Sequence, residues 1–300
     1  MDYAQAHLLW IKGRAMTRMR LAEEPLSGLA VWSRRLAGFS IPVLLLSIII
    51  IRSGLLEITP ALATFGGALV LAFGAIVLAV GAFVVIWKEG CKGLGHAVTA
   101  MLIGIAILAY PTFLAVRASR LPMMTDITTD PADPPRFDTI ARLRPRNANP
   151  IVYPGSAAAE LQRTGYPDIE PLQLSASPQQ TYEAALAMIT KHKWRVVDLR
   201  PPQTTGRREG VIEAVARTPI MGFRDDVAVR IRFDEEGSRV DIRSASRYGR
   251  TDFGTNAARI RRMLSDIDDS AGSEGEAAKK PAKPAKPEQA PAKPQARARR

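Results

Sequence analysis

The sequence predicts an α-helical membrane anchor of three transmembrane helices plus an α+β two-layer soluble domain. In that domain an antiparallel sheet carries two helices, in the order β-α-β-β-β-β-α. Three observations predict this. Residues 61–87 contain no charged side chain, residues 94–116 form a second apolar run, and residues 172–267 break into short alternating and helical patterns separated by turn residues.

Residues 1–35 form a basic segment that stands on the cytoplasmic side in this reading. Three spans follow at about 36–58, 61–87 and 94–116. The second run, at ~1.5 Å per residue, exceeds the ~30 Å of a bilayer's hydrocarbon core. Its Gly67, Gly74 and Gly81 recur every seven residues and predict one close-packed helix face. Trp87 and Tyr110 suit the headgroup level, and His96 reads as an interfacial residue. Arg52 and Glu57 interrupt the first run, and Arg52 can reach the interface along its aliphatic stem. The single cysteine, Cys91, excludes an intrachain disulfide and reads as an incidental loop residue.

Lys12, Arg14, Arg18, Arg20, Arg34 and Arg35 precede the first span, and Lys88 and Lys92 share their side. Arg52, Arg117 and Arg120 occupy the other side. Eight against three places the N-terminus in the cytoplasm and the chain after Val116 outside it. The charged stretch before Leu36 is too long for the n-region of a cleaved signal, so the helices are expected to stay attached.

Residues 117–170 are dense in proline and predict an irregular connector. Its Asp126, Asp130 and Asp133 are weak metal candidates, since the glycine loop and terminal glutamate of a calcium hand are absent. No metal and no cofactor is expected. The α+β domain occupies 171–268. A strand spans Leu172–Ala176, and Ser177 caps a helix that starts on Pro178 and carries Tyr182, Ala185, Leu186 and Ile189 inward. Trp194–Leu199, Val211–Arg217, Asp225–Phe233 and Arg239–Arg247 read as strands. A helix from about Thr251 to Ile267 presents Ala257, Ile260, Met263 and Leu264 to the core. Val227, Val229, Ile231 and Phe233 share one sheet face with Val240 and Ile242, while Arg230, Arg232, Arg239, Asp241 and Arg243 take the other.

The segments "DITTDPADPPRF" (126–137), "YPDIEPL" (166–172), "GFRDDVAVRIR" (222–232) and "RVDIRSASRYGRTDFGTNAARIRRML" (239–264) resemble a bacterial membrane-anchored family, domain of unknown function 1499. The resemblance implies homologues and a shared membrane-anchored bacterial architecture; together with the Lys/Arg count it gives an expected bacterial inner-membrane location with a periplasmic domain. It brings no activity and no assigned residues.

For catalysis the sequence offers little. His192 sits between two lysines at a helix end, where a cation complements the helix dipole. Asp225 and Asp226 are adjacent on a strand and so point to opposite faces, which argues against a paired-acid hydrolase. The more suggestive set is basic. Arg230, Arg232, Arg243 and Arg247 on the polar face, joined by Arg250 in the loop 246–256, are the candidate anion-binding residues. The simpler account of the same residues is cross-strand ion pairing with Glu213 and Asp241. The expected function is therefore a binding or envelope-structural module with a basic ligand face. Its partners would be the lipid bilayer and an anionic ligand, glycan or envelope protein. Two alternatives remain, an enzyme working through the connector acids or the 246–256 loop, and a cytoplasm-facing domain whose tail touches lipid or nucleic acid; nucleic acid is the less favoured partner.

The formal net charge is +12, and Lys279–Arg300 contributes +7 of it through eight basic residues and Glu288. Residues 269–300, rich in lysine, proline and alanine, predict a disordered, self-repelling tail.

Overall fold

The computed structural model of the chain describes residues 24–54, 56–203, 209–235 and 237–279. The basic N-terminus before residue 24 and the expected disordered tail beyond residue 279 lie outside the described residues; the first part of the segment expected to be disordered, 269–279, is not irregular but continues the helix Thr255–Lys279. Two compact units emerge: one holds residues up to Arg120 together with Pro219–Gly222, the other Leu121–Thr218 and the chain from Phe223 onward.

The first unit is built from α1 (Gly28–Ser53), α2 (Ile58–Glu89) and α3 (Leu94–Ala118), each long and apolar enough to cross a membrane. The first helix starts earlier and stops sooner than the hydropathy predicts. The Ser27 hydroxyl accepts from Ala30 N–H at its start, and Gly54 ends it in the left-handed conformation. Arg52 thus sits in its last turn, while Glu57 belongs to the start of α2.

Small residues line the helix contacts. On α2, after Ala61 near its start, the buried positions are Ala68, Ala72, Ala75, Ala79 and Ala82, alternating by four and three like a coiled-coil seam. On α1 they include Ala30, Ser33, Ala37, Ser40 and Ser47. The three serines satisfy their own hydroxyls by donating to carbonyls three residues back, at 2.7–2.9 Å, so they cost little in an apolar seam. The heptad glycine face forms in part: a Cβ at Gly74 or Gly81 would touch Leu36 or Leu29 of α1, but Gly67 faces open space.

The tightest contact is at Gly104 of α3, where a Cβ would stand 2.5 Å from Ile76 Cγ1 and 3.0 Å from the Ala72 carbonyl oxygen. Gly104→Ala is expected to force α2 and α3 apart, at a cost of about 1–3 kcal/mol. Thermal unfolding of the micelle-held chain measures it, with Gly67→Ala, whose Cβ would meet nothing, as a control that should not destabilise.

The second unit is a six-stranded antiparallel sheet: β1 (Asp126–Thr128), β2 (Leu172–Leu174), β3 (Arg195–Arg200), β4 (Gly210–Arg217), β5 (Arg224–Asp234) and β6 (Gly237–Ser246). The order is β1-β6-β5-β4-β3, and β2 pairs with β6 beside β1 on the same edge. Four helices accompany it: α4 (Thr139–Leu143), α5 (Ser156–Gly165), α6 (Pro178–Lys191) and α7 (Thr255–Lys279).

The helix-covered face follows from alternation. Val229 lies opposite Ile212 and Ile242, and Ile231 opposite Val240, so apolar side chains stack across three strands. Tyr182, Ala185 and Ile189 of α6 and Ala257, Ile260, Met263 and Ile267 of α7 close over them. Each fully buried Ile or Val there contributes roughly 1.5–3 kcal/mol. The α6 start is a complete capping box, with Ser177 and Gln180 each satisfying the other's backbone N–H. Phe233, expected inward, is 46% exposed because it pairs with Ser238 beside the β5–β6 turn.

The connector departs most from expectation. Residues 121–170 supply β1, α4 and α5 and bury Met124, Ile127, Phe137, Ile140 and Tyr166. Prolines exclude long elements, but short ones fit between them: α5 runs from Ser156 to Gly165, between Pro154 and Pro167. Its middle part, with Phe137 and Ile140, lies on the sheet face opposite α6 and α7, while Met124, Ile127, Tyr166 and Ile169 join the core beneath those helices. Phe137 and Ile140 pack on Val215, Ala228 and Ala245.

The later connector is also tied to α7. Arg261 donates two hydrogen bonds to Asp168 (2.5 and 2.6 Å) and stacks over Tyr166. The hydrogen bonds from Arg261 hold the Asp168 carboxyl below the usual carboxylate range. A depressed carboxylate stabilises the fold above its ordinary value of about 3.9 and loses that contribution as pH falls through the folded value. Asp168→Asn should therefore cost under ~1 kcal/mol at pH 7, because solvent screens the pair. Melting curves taken from pH 7 to pH 3 should show the two proteins converging at the acid end.

Candidate functional site

The sheet face under the connector carries the arginines. Arg230, Arg232 and Arg239 surround Asp241, which lies directly opposite Arg230 on the neighbouring strand. The Asp241 carboxylate accepts from Arg230 (3.0 Å), Arg232 (2.8 Å) and Arg239 (3.0 Å). From the connector, Asp130 and Asp133 return to the same guanidiniums at 2.9–3.4 Å. Three arginines meet three aspartates, so this cluster is balanced.

Arg243 is paired individually. Its Nε and Nη2 donate to Asp126 at 3.0 and 2.6 Å, its Nη groups also reach the carbonyls of Pro135 and Ile151, and the Phe137 and Tyr153 rings flank it. Burial pushes the Asp126 carboxyl up, opposed by the bonds from Arg243. Burial likewise raises the Tyr153 phenol, to about 12.

Glu213, on the same face, is fully buried and holds α4 in place. Its carboxylate accepts the backbone N–H groups of Asp138, Thr139 and Ile140 at 2.8–3.1 Å, and Arg200 approaches at 3.2 Å. Sequence reasoning offered Glu213 as a cross-strand partner for the candidate arginines. It is instead a helix cap reaching across layers, a role fixed by backbone groups that no side-chain pattern reveals.

At one end of the sheet the balance fails. Arg217, last in β4, stands directly opposite Arg224, first in β5. Arg195, first in β3, pairs with Val215 and so shares the face of Arg217 two residues on. Arg247 follows β6 alongside, its N–H donating to the Arg224 carbonyl. Among the described residues no carboxylate pairs with Arg195, Arg217 or Arg224. Arg247 takes Asp226 at 2.6 and 2.9 Å. Arg144, reaching in from the end of α4, places its Nε 3.0 Å from the other oxygen of Asp226 without the alignment of a hydrogen bond. The Arg144 side chain is 5% exposed, and its Nη2 is buried with no hydrogen-bond partner. Two of these five guanidiniums, Arg247 and Arg144, share Asp226, and among the described residues the other three meet no carboxylate. Burial holds the Arg224 guanidinium below its ordinary value, with Arg217, Arg247 and Arg195 adding to the effect. Arg144 is lowered for the same reason, burial first, partly offset by Asp226.

The expectation of one open face carrying Arg230, Arg232, Arg243, Arg247 and Arg250 is therefore corrected. Arg230, Arg243 and Arg247 are buried, Arg232 is half-buried, and each meets an acid, because the connector lies over them. Arg250 is exposed in its loop. Asp126, Asp130 and Asp133, the weak metal candidates, are the partners of these arginines, with their oxygens directed at guanidinium donors. Among the described residues no group of three or more His, Cys, Asp or Glu is placed to hold a metal ion. The strongest signal missed by sequence was Arg144 with Arg195, Arg217 and Arg224, which lie far apart in sequence and meet only through strand register.

On the helix side, Asp225 and Asp226 diverge as their adjacency requires: Asp225 accepts from Arg259 of α7 at 2.5 Å. Asn256 links Ser244, Ser246, Arg259 and the Thr125 carbonyl into one buried network, and the Asp252 carboxylate caps α7 through the Gly254 and Asn256 N–H groups. His192 does end α6, but its Nε2 meets Asp266 at 3.0 Å and its ring stacks on Trp194.

Residues 126–267 match the model of a family described as a protein of unknown function, DUF1499. No curated protein and no solved structure matches the chain.

Proposed function

We infer that this chain, whose residues 126–267 belong to the DUF1499 family, is a multi-pass protein of the bacterial inner membrane that holds this domain outside the cytoplasm as a binding module. Its ligand or partner is anionic, a glycan, a phosphorylated headgroup or an acidic envelope protein. The observation that carries the reading is the arginine row at the end of the sheet. Among the described residues, Arg195, Arg217 and Arg224 stand without acids on a face where the connector neutralises the other arginines. Like charges placed directly opposite on neighbouring strands destabilise a sheet. An external anion relieves that repulsion, and guanidinium forks suit its oxygens.

Orientation rests on the three apolar helices and the eight-to-three division of Lys and Arg about them. Reporter fusions after Arg120 and at Arg300 test it. Alkaline phosphatase activity at both sites, with a silent cytoplasmic reporter, is expected; the reverse pattern would place the domain in the cytoplasm and reject the envelope role.

A further inference from the structure

We propose that the arginine row takes a phosphate-type oxyanion, either the phosphate of a lipid headgroup or a free polyphosphate. This rests on the binding-module reading above and gives its ligand a chemical class.

Charge balance elsewhere in the domain sets the contrast. Arg230, Arg232 and Arg239 face Asp130, Asp133 and Asp241; Arg243 faces Asp126; Arg259 faces Asp225; Arg261 faces Asp168; Arg200 faces Asp138, Asp198 and Glu213. Among the described residues of the sheet, cations accumulate at the end formed by Arg195, Arg217, Arg224 and Arg247, and Arg144 joins them from the connector with a buried Nη2 that has no acceptor. Burying a guanidinium donor without an acceptor is unfavourable, and the arrangement becomes favourable when an acceptor arrives.

The number and direction of the donors choose the anion. They come from three strands, the residue after a fourth, and the connector, so they approach from several directions. A carboxylate offers two oxygens in one plane and one negative charge. A phosphate offers three or four oxygens arranged tetrahedrally, can carry more than one charge, and can accept from several forks at once. Asp226 already supplies the carboxylate of the site, held by Arg247 and approached by Arg144. The donors it leaves over are the ones an oxyanion takes.

The test uses the full chain in maltoside micelles, which contain no phosphate. Pyrophosphate and citrate are titrated at matched ionic strength, and binding is read as amide-exchange protection across β4, the start of β5 and Arg247, so that the basic tail does not contribute. Micelles doped with phosphatidic acid or with oleate form a second arm. Pyrophosphate is expected to protect these amides at concentrations at least tenfold below citrate. Arg217→Gln with Arg224→Gln should abolish the protection, while exchange around Asp126 and Arg243 stays native and shows the fold intact. Protection by phosphatidic acid alone assigns the phosphate to a lipid headgroup, and protection by pyrophosphate alone assigns it to a soluble ligand. Equal response to citrate and pyrophosphate would overturn the phosphate class and leave anion binding standing. No response to any anion, or an unchanged response in the double variant, would overturn the row itself and the binding module with it.

Discussion

Asp126→Ala is expected to destabilise the domain by about 3–5 kcal/mol, because it leaves a buried guanidinium without its counter-charge. Arg243 is 3% exposed, and both oxygens of Asp126 accept from it. The carbonyls of Pro135 and Ile151 and the two aromatic rings remain, but none of them carries a negative charge. The loss should concentrate where β1 meets β6, since Asp126 is the first residue of that pairing. Amide exchange across residues 125–129 and the thermal midpoint of the micelle-held chain measure it. A double replacement, Asp126→Leu with Arg243→Met, removes both charges and should recover much of the loss. A double variant no more stable than Asp126→Ala would show that the pair acts through shape and not through charge.

Glu213→Gln is the second large effect, at roughly 2–3 kcal/mol. One carboxylate serves three backbone N–H groups at the start of α4 and the Arg200 guanidinium, all in a fully buried position. Glutamine keeps one acceptor oxygen and turns an NH2 toward groups that also donate. Phe137 and Ile140, which seal the connector onto Val215, Ala228 and Ala245, should then loosen. Limited proteolysis is expected to cut near residues 139–146 in the variant and to leave the wild-type connector whole. Equal resistance in both would mean that apolar packing alone holds α4.

These two residues show where the sequence was legible. Strand and helix positions followed from alternation and from the Ser177–Pro178 start, because the code for a half-buried strand or a capped helix is local. Glu213 sits in a strand pattern that reads correctly, yet its partners are backbone groups some seventy residues earlier. The connector misled for a related reason: eight prolines do preclude long regular elements, but the segment folds by burying Ile127, Ile140 and Tyr166 against a sheet that forms later in the chain. The candidate arginines were the right residue type in the wrong state. Their acids, Asp126, Asp130 and Asp133, were visible in the sequence as a knot of their own, and only the layering of connector on sheet brings the two sets together. The row at the sheet end needed register to be seen, since Arg217 and Arg224 face each other only because the intervening turn is closed by the Thr218 N–H to Phe223 carbonyl hydrogen bond.

The distinction between neutralised and free arginines carries the functional reading, and matched double variants test it most directly. Arg217→Gln with Arg224→Gln and Arg163→Gln with Arg261→Gln each remove two positive charges, so long-range electrostatics change equally. The full chain in micelles is eluted by salt from immobilised dextran sulfate. The first variant is expected to elute at markedly lower salt than wild type, and the second near the wild-type position because its arginines are already paired with Glu160 and Asp168 in exposed pairs whose loss costs the fold little. Equal shifts in both variants would contradict a binding surface at the arginine row.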